Sequence, residues 1–332
     1  MDNIHIKEIQ IDNFKCFQAL KLNEIKQINL IGGKNNVGKT ALLEAIELNS
    51  SSMNSYELIY NSHNLLKNRQ GYNKNNNNID IDFIYKNSNY TKIVSNLKSC
   101  KIKFGSIIKG EIINSEYNFF NMIIYYSINK DSMPLSIAEF IKTRKKYGEG
   151  NKHINYISPT KASDSKLAIL YGSLVDLDRE KYLDQSLSLF DENIIAMKQK
   201  ATNTGIVIKL KLKNQNSLVL LSSLGDGINR YIAILCAIWA NKDSILFIDE
   251  IENGIHFSNY TKLWNLIFEA SIKANCQIFI TSHSKECIQA FNQVQLENKV
   301  PSSAYFELYK NLKTDKITAA KRTALKIQDW EH

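Results

Sequence analysis

The sequence predicts an α/β protein: a mixed sheet with antiparallel strands at its N-terminal end, interrupted by an inserted α+β lobe. Three observations carry this. An apolar run at 28–31 meets Gly32 and Gly33 and gives way to helical spacing over 40–48. After Leu221 the pattern alternates: helix 227–240, strand 245–249, helix 258–273, strand 277–282, helix 285–294. That rhythm belongs to parallel strands joined by crossover helices. Between these two regions the chain is irregular and rich in Asn, Lys and Ile.

Taken in order, residues 4–11 alternate apolar and polar with period two, and a second short strand is expected at 19–22 after a turn at 13–17. The stretch 49–78 turns polar and ends in an Asn-rich run near 70–78, which reads as a flexible loop or insertion. Strand signals fill 79–128, with runs at 79–85 and 119–126. Helical patterns cover 136–146 and 163–200, with a strand between them at 153–158. A hairpin is expected from 205–212 and 217–221, and another at 304–309 and 316–319. The expected division is one split domain, 1–50 and 205–332, around a lobe at 51–204. No heptad pattern persists long enough for a coiled-coil arm.

Composition narrows the function classes. No run of about 18 apolar residues occurs, so a membrane-spanning reading is poor. The N-terminus has no basic and apolar leader pattern, and the five cysteines are scattered without C-x-x-C spacing. Both features suit a cytoplasmic protein with reduced thiols. The net charge of +9 suits an anionic partner such as nucleic acid, although a Lys-, Asn- and Ile-rich composition explains it equally well.

Four segments carry chemistry. Gly33-Lys34-Asn35-Asn36-Val37-Gly38-Lys39-Thr40 is a complete G-x-x-x-x-G-K-T phosphate loop. Its backbone N–H groups and the following helix start, Ala41 included, face phosphate oxygens. Lys39 reaches the β- and γ-phosphates, and the Thr40 hydroxyl ligates Mg²⁺. The apolar strand Ile245-Leu246-Phe247-Ile248 ends in Asp249 and Glu250, suited respectively to water-mediated Mg²⁺ contact and to activating a water. Ser222-Ser223-Leu224-Gly225 at a helix start is either a plain cap or a second anion site. Thr281-Ser282-His283-Ser284 closes another buried strand with a histidine, structural or placed for a γ-phosphate.

Together these segments resemble the ATP-binding-cassette-type ATPases of the SMC and OLD kind, also grouped as AAA family ATPases. Ile9-Gln10-Ile11-Asp12-Asn13-Phe14-Lys15-Cys16-Phe17 looks like their opening I-x-N-F-[RK]-x-F turn, with Asn13 and Lys15 beside the nucleotide. Gly33-Lys34-Asn35-Asn36 matches their G-x-N-N loop, and Asp249-Glu250-Ile251-Glu252-Asn253-Gly254-Ile255-His256 their D-E-x-E-x-G-L-H segment. The resemblance implies a P-loop NTPase of ABC/SMC type that binds ATP and Mg²⁺, with Lys39, Glu250 and His283 catalytic. It also implies a head-to-tail homodimer, or a higher oligomer, in which Ser223 and Gly225 of one protomer cap the nucleotide of the other.

OLD nucleases add a TOPRIM domain, whereas only 49 residues follow His283, too few for one. The leading expectation is therefore a sensor or scaffold subunit of a bacterial anti-phage system, working with a separate effector: a TOPRIM-like or HNH nuclease, or a toxin. The alternatives are an ATP-stabilised scaffold that does not hydrolyse, or a DNA-repair ATPase that binds nucleic acid.

Overall fold

In a computed structural model, the described residues are 5–70, 88, 90–108, 111–113, 122–136, 155–203, 205–297 and 302–323. The elements run β1 (Ile9–Phe14), β2 (Phe17–Leu22), β3 (Ile28–Gly33), α1 (Lys39–Ser50), α2 (Ser55–Gln70), β4 (Tyr90–Ser95), β5 (Ser99–Ile108), β6 (Glu111–Ile113), β7 (Met122–Ile128), β8 (Asp131–Ser136) and β9 (Tyr156–Ile157). They continue with α3 (Asp164–Val175), α4 (Glu180–Phe190), β10 (Ile194–Thr202), β11 (Gly205–Leu212), β12 (Val219–Leu220), α5 (Asp226–Ala240) and β13 (Ile245–Ile248). Then follow α6 (Tyr260–Ala274), β14 (Gln277–Thr281), α7 (Lys285–Glu297), β15 (Ser303–Lys310) and β16 (Ile317–Arg322).

The central sheet has the order β16-β15-β3-β14-β13-β9, parallel except for the antiparallel β15–β16 hairpin. Its strands are apolar on both faces, as a doubly covered parallel sheet requires. Leu30, Leu246, Ile248, Ile278 and Ile280 enter one core with α3 to α7, while Ile31, Phe247 and Phe279 enter the other. That second core lies under α1 and the antiparallel sheet β2-β1-β4-β5-β7-β8, in which β6 pairs with β5. The fold is thus the mixed α/β architecture expected from the pattern. The third sheet is β10-β11-β12, antiparallel throughout.

The strand pairings cross the expected division of the chain. β1 pairs with β4, and β9 is the edge strand beside β13.

Two expectations are corrected. Residues 49–78 are not all loop, because α2 occupies Ser55–Gln70. Its polar residues mask a short apolar stripe, Leu58, Ile59 and Leu65, that is buried in the second core. The helical expectation over 163–200 fails after Phe190. There Asp191 caps the turn by accepting from Asn193 N–H, and Ile194–Thr202 pairs with β11 instead. Tertiary pairing overrides the local preference. Of the expected helix at 136–146, Ser136 instead ends β8 and the rest lies outside the described residues, as do the strand at 79–85 and the Asn-rich run beyond Gln70. No described helix is long and apolar enough to cross a membrane.

Candidate functional site

β3 runs into the phosphate loop and α1 leaves it. Two glycines fix the turn. Gly33 has φ +138°, and a Cβ there would fall 2.3 Å from Leu308 O. Gly38 has φ +88°, and a Cβ would fall 2.5 Å from Cys16 Sγ, so the β1–β2 turn buttresses the loop. Asn35 and Asn36 are exposed on the loop, with Asn36 left-handed at φ +64°. Val37 is buried against the second core, as is Ala41. No side chain caps α1 and no acid occupies its first turn, so its free N–H groups and positive dipole end remain for an anion.

Lys39 is 8% exposed. Among the described residues its ammonium donates to the carbonyls of Gly33 (2.9 Å) and Lys34 (3.0 Å) alone. Burial pushes its pKa below the ordinary amine value, and Glu252, Glu250 and Asp249 partly oppose that shift.

Asp249, at the end of β13, is the hub of a hydroxyl cluster. Its Oδ1 accepts from Thr281 Oγ1 at 2.5 Å and from Thr40 Oγ1 at 3.3 Å, while Oδ2 accepts from Tyr156 OH at 3.1 Å. Burial, then Asp249, pushes the Tyr156 hydroxyl far above its usual range, so it stays a neutral donor. Glu250 adopts φ +47°; its N–H donates to Thr281 Oγ1, and its carboxylate accepts from Asn253 Nδ2 at 2.7 Å. The buried Arg230 guanidinium of α5 donates to the carbonyls of Asp249 (2.8 Å), Glu250 (3.1 Å) and Ser158. Its pKa is lowered to about 10 by burial. Glu252 Oε1 lies 2.9 Å from His283 Nδ1 and accepts from the His283 and Ser284 N–H groups.

Thr40 and Asp249 therefore meet directly, and Glu250 joins them through Thr281. His283 joins through Glu252, whose charge Lys39 feels. Ser223 and Gly225 are not hydrogen-bonded to this cluster among the described residues. Ser223 is exposed with its hydroxyl turned to Leu220 O, and Gly225 caps α5 at φ +93° with open space where a Cβ would sit. Asn13 and Lys15 are left-handed in the β1–β2 turn, and Lys15 forms an ion pair with Glu44 of α1.

The donor set fits the group that the phosphate loop implies. A buried cation, a free helix start and a hydroxyl–carboxylate pair suit phosphate oxygens with a hard divalent ion. No cluster of three His, Cys, Asp or Glu side chains able to hold a metal occurs among the described residues. A magnesium ion here would thus take much of its shell from phosphate and water.

Reasoning on the sequence alone missed Tyr156, Thr281, Arg230 and Glu252 as parts of the site. The last three lie inside or beside the quoted motifs; Tyr156 stands on a two-residue strand and carries no local signal.

The family profile described as "AAA domain, putative AbiEii toxin, Type IV TA system" matches residues 28–288. A protein of Helicobacter pylori named ATP/GTP phosphatase is 25% identical over 328 residues, covering 87% of this chain and 88% of that protein. Among solved structures, an Smc head bound to the C-winged helix domain of ScpA superposes with TM-score 0.56 at 12% identity, covering 98% of this chain and 99% of the other. An Smc head with an extended coiled coil, bound to a C-terminal domain of ScpA from Pyrococcus furiosus, gives 0.52 at 11% identity, covering 98% of each chain. These two likenesses concern the fold.

Proposed function

This chain belongs to the AAA-domain family whose profile spans residues 28–288, and on that premise we propose how its ATPase site works and what it serves. The chain is a P-loop ATPase with an SMC-head fold. In the proposed reaction, Lys39 and the N–H groups at the start of α1 hold the β- and γ-phosphate oxygens. Glu250 takes a proton from the water whose oxygen bonds to the γ-phosphorus as the bond to the bridging oxygen breaks. His283 contacts the γ-phosphate and is held in place by Glu252. Magnesium, bound by Thr40 and through water by Asp249, would neutralise charge on the phosphates.

The observation that carries this reading is Lys39: a buried ammonium bonded to two carbonyls, near a free helix start and three carboxylates. Lys39→Ala is expected to abolish nucleotide binding. Glu250→Gln keeps shape and loses the base, so ATP should bind and persist. Chelating divalent ions should stop turnover in the wild type. Normal hydrolysis by Glu250→Gln would remove Glu250 from the role of base.

The active unit in this proposal is a head-to-tail homodimer. The exposure of Ser223 and the open space at the Gly225 helix start support it. Gly225→Asp would set a carboxylate against the partner's γ-phosphate. Mixing it with Lys39→Ala should restore one intact composite site and hence partial activity. The dimer is proposed to serve as sensor or scaffold in anti-phage defence, controlling a separate nuclease or toxin effector. The toxin–antitoxin wording of the family's description supports that direction. Co-purification from the native locus tests it: an effector retained by the wild type and independent of Lys39 would contradict ATP-dependent control.

A further inference from the structure

Between Glu192 and Asp226 the chain carries five lysines, Lys198, Lys200, Lys209, Lys211 and Lys213, and no acidic residue. This stretch forms the β10-β11-β12 sheet and leads directly into Ser222–Gly225. Alternation sorts its side chains. Met197, Ile208 and Leu210 are buried in the core shared with α3 and α4, so the intervening positions face outward. Lys198, Lys200 and Lys211 are exposed, and Lys209 is half-buried. The register sets Lys198 directly opposite Lys209, with Leu220 in the same cross-strand row.

Like charges in directly opposed cross-strand positions are destabilising. None of the five lysines makes an ion pair among the described residues. The carboxylate of Asp184, which feels Lys198, stands on α4 rather than on this sheet and accepts from the Met197 N–H. An acid at any outward position would have relieved the repulsion, so this face is built for an anion that comes from outside.

We propose that the outer face of this sheet binds the phosphate backbone of duplex nucleic acid through Lys198, Lys200, Lys209 and Lys211. Two observations favour nucleic acid over an acidic protein or an anionic membrane. Lysines two apart on a strand are about 6.8 Å apart, the axial rise of about two nucleotides along one strand of a duplex. Side-chain amides at the sheet's ends, Asn214, Gln215 and Asn216 on one side and Asn203 on the other, add neutral phosphate donors. There is no aromatic residue between Glu192 and Asp226, so base stacking is absent and binding is sequence-independent. Because β12 runs straight into Ser223 and Gly225, backbone binding here lies next to the segment proposed to meet the partner's nucleotide.

The test is fluorescence anisotropy of a labelled 30-base-pair duplex with full-chain protein at 50 and 200 mM salt. The comparison protein is the quadruple variant Lys198→Gln, Lys200→Gln, Lys209→Gln, Lys211→Gln, with Lys198→Glu as a lighter second variant. Four phosphate contacts predict that wild-type affinity falls about a hundredfold between the two salts. The quadruple variant should lose most of that dependence and bind far more weakly at 50 mM. A control carrying Lys262→Gln, Lys273→Gln, Lys313→Gln and Lys316→Gln should bind as wild type, and melting curves should show all variants folded. Three results would each overturn the proposal: no duplex binding by the wild type at 50 mM salt, an equal loss in the control variant, or tighter lysine-dependent binding to polyglutamate or to vesicles of anionic lipid than to the duplex.

Discussion

Glu252 Oε1 stands 2.9 Å from His283 Nδ1 and 2.7 Å from the His283 N–H, so one buried carboxylate oxygen fixes both the ring and the backbone of the histidine. It also accepts from Ser284 N–H at 3.2 Å. Removing it in Glu252→Ala takes the acceptor from the His283 N–H at a site where Glu252 is 7% exposed, while Ser284 N–H keeps Ser282 Oγ. The expected cost is about 1–3 kcal/mol in a denaturant melt, with a loss of ATPase turnover. Glu252→Gln keeps an acceptor oxygen and should be markedly milder in both measurements. Equal effects from the two variants would show that the hydrogen bonds to His283 are not what matters.

Lys39 gives a prediction with opposite signs for stability and function. Its folded pKa lies below the ordinary amine value, so below that pKa the buried charge opposes folding, and the penalty fades only as pH rises towards the unfolded value. Lys39→Met fills the same volume without the charge. The nucleotide-free variant should melt at or above the wild-type temperature. Its stabilisation by ATP, about 2.7 kcal/mol for the wild type at a hundred times Kd, should vanish. A variant that melts lower but still responds to ATP would contradict both halves.

Much of this site is legible in the sequence because its parts are contiguous. Gly33 to Thr40 is one loop, and Asp249 and Glu250 follow four apolar residues, so local pattern and position in the sheet agree. The alternating helix and strand signals after Leu221 reproduce α5, β13, α6, β14 and α7 to within a few residues. What escapes is carried by contacts between distant residues. Tyr156 reaches Asp249 from a strand of two residues, and Arg230 reaches the carbonyls of Asp249 and Glu250 from the middle of α5. α2 was hidden for the opposite reason: its buried Leu58, Ile59 and Leu65 are few, and the polar residues around them dominate the composition.

Arg230 should act on catalysis without touching substrate. Its guanidinium bonds three carbonyls, two of which belong to the residues that carry the site's carboxylates. Glu250 holds φ +47°, a conformation that needs support in a residue with a side chain. A lysine has no planar fork to span these acceptors, so Arg230→Lys should fail to rescue. Both Arg230→Lys and Arg230→Met are expected to lower kcat about tenfold or more while KM for ATP changes little. Steady-state kinetics at matched folded fractions checks this; a change confined to KM would place Arg230 in nucleotide binding instead.

The last prediction concerns pH. Glu47 lies one turn beyond Glu44 on α1, and burial, then Glu44, raises its pKa to about 7, with Lys166 opposing. A carboxyl raised in the folded state binds more protons folded than unfolded between its unfolded value of 4.5 and about 7. Its favourable contribution is therefore complete below pH 4.5 and is lost as pH climbs through 7. At about 1.4 kcal/mol per unit, the swing is on the order of 3 kcal/mol. Glu47→Gln carries no proton to lose. Other groups titrate over the same range, so the informative quantity is the wild-type stability minus that of the variant, from urea melts at pH 4.5, 6 and 8. That difference should shift against the wild type as pH rises, with most of the change between pH 4.5 and 7. A difference constant across the three pH values would mean that Glu47 ionises in the folded chain as it does in the unfolded one.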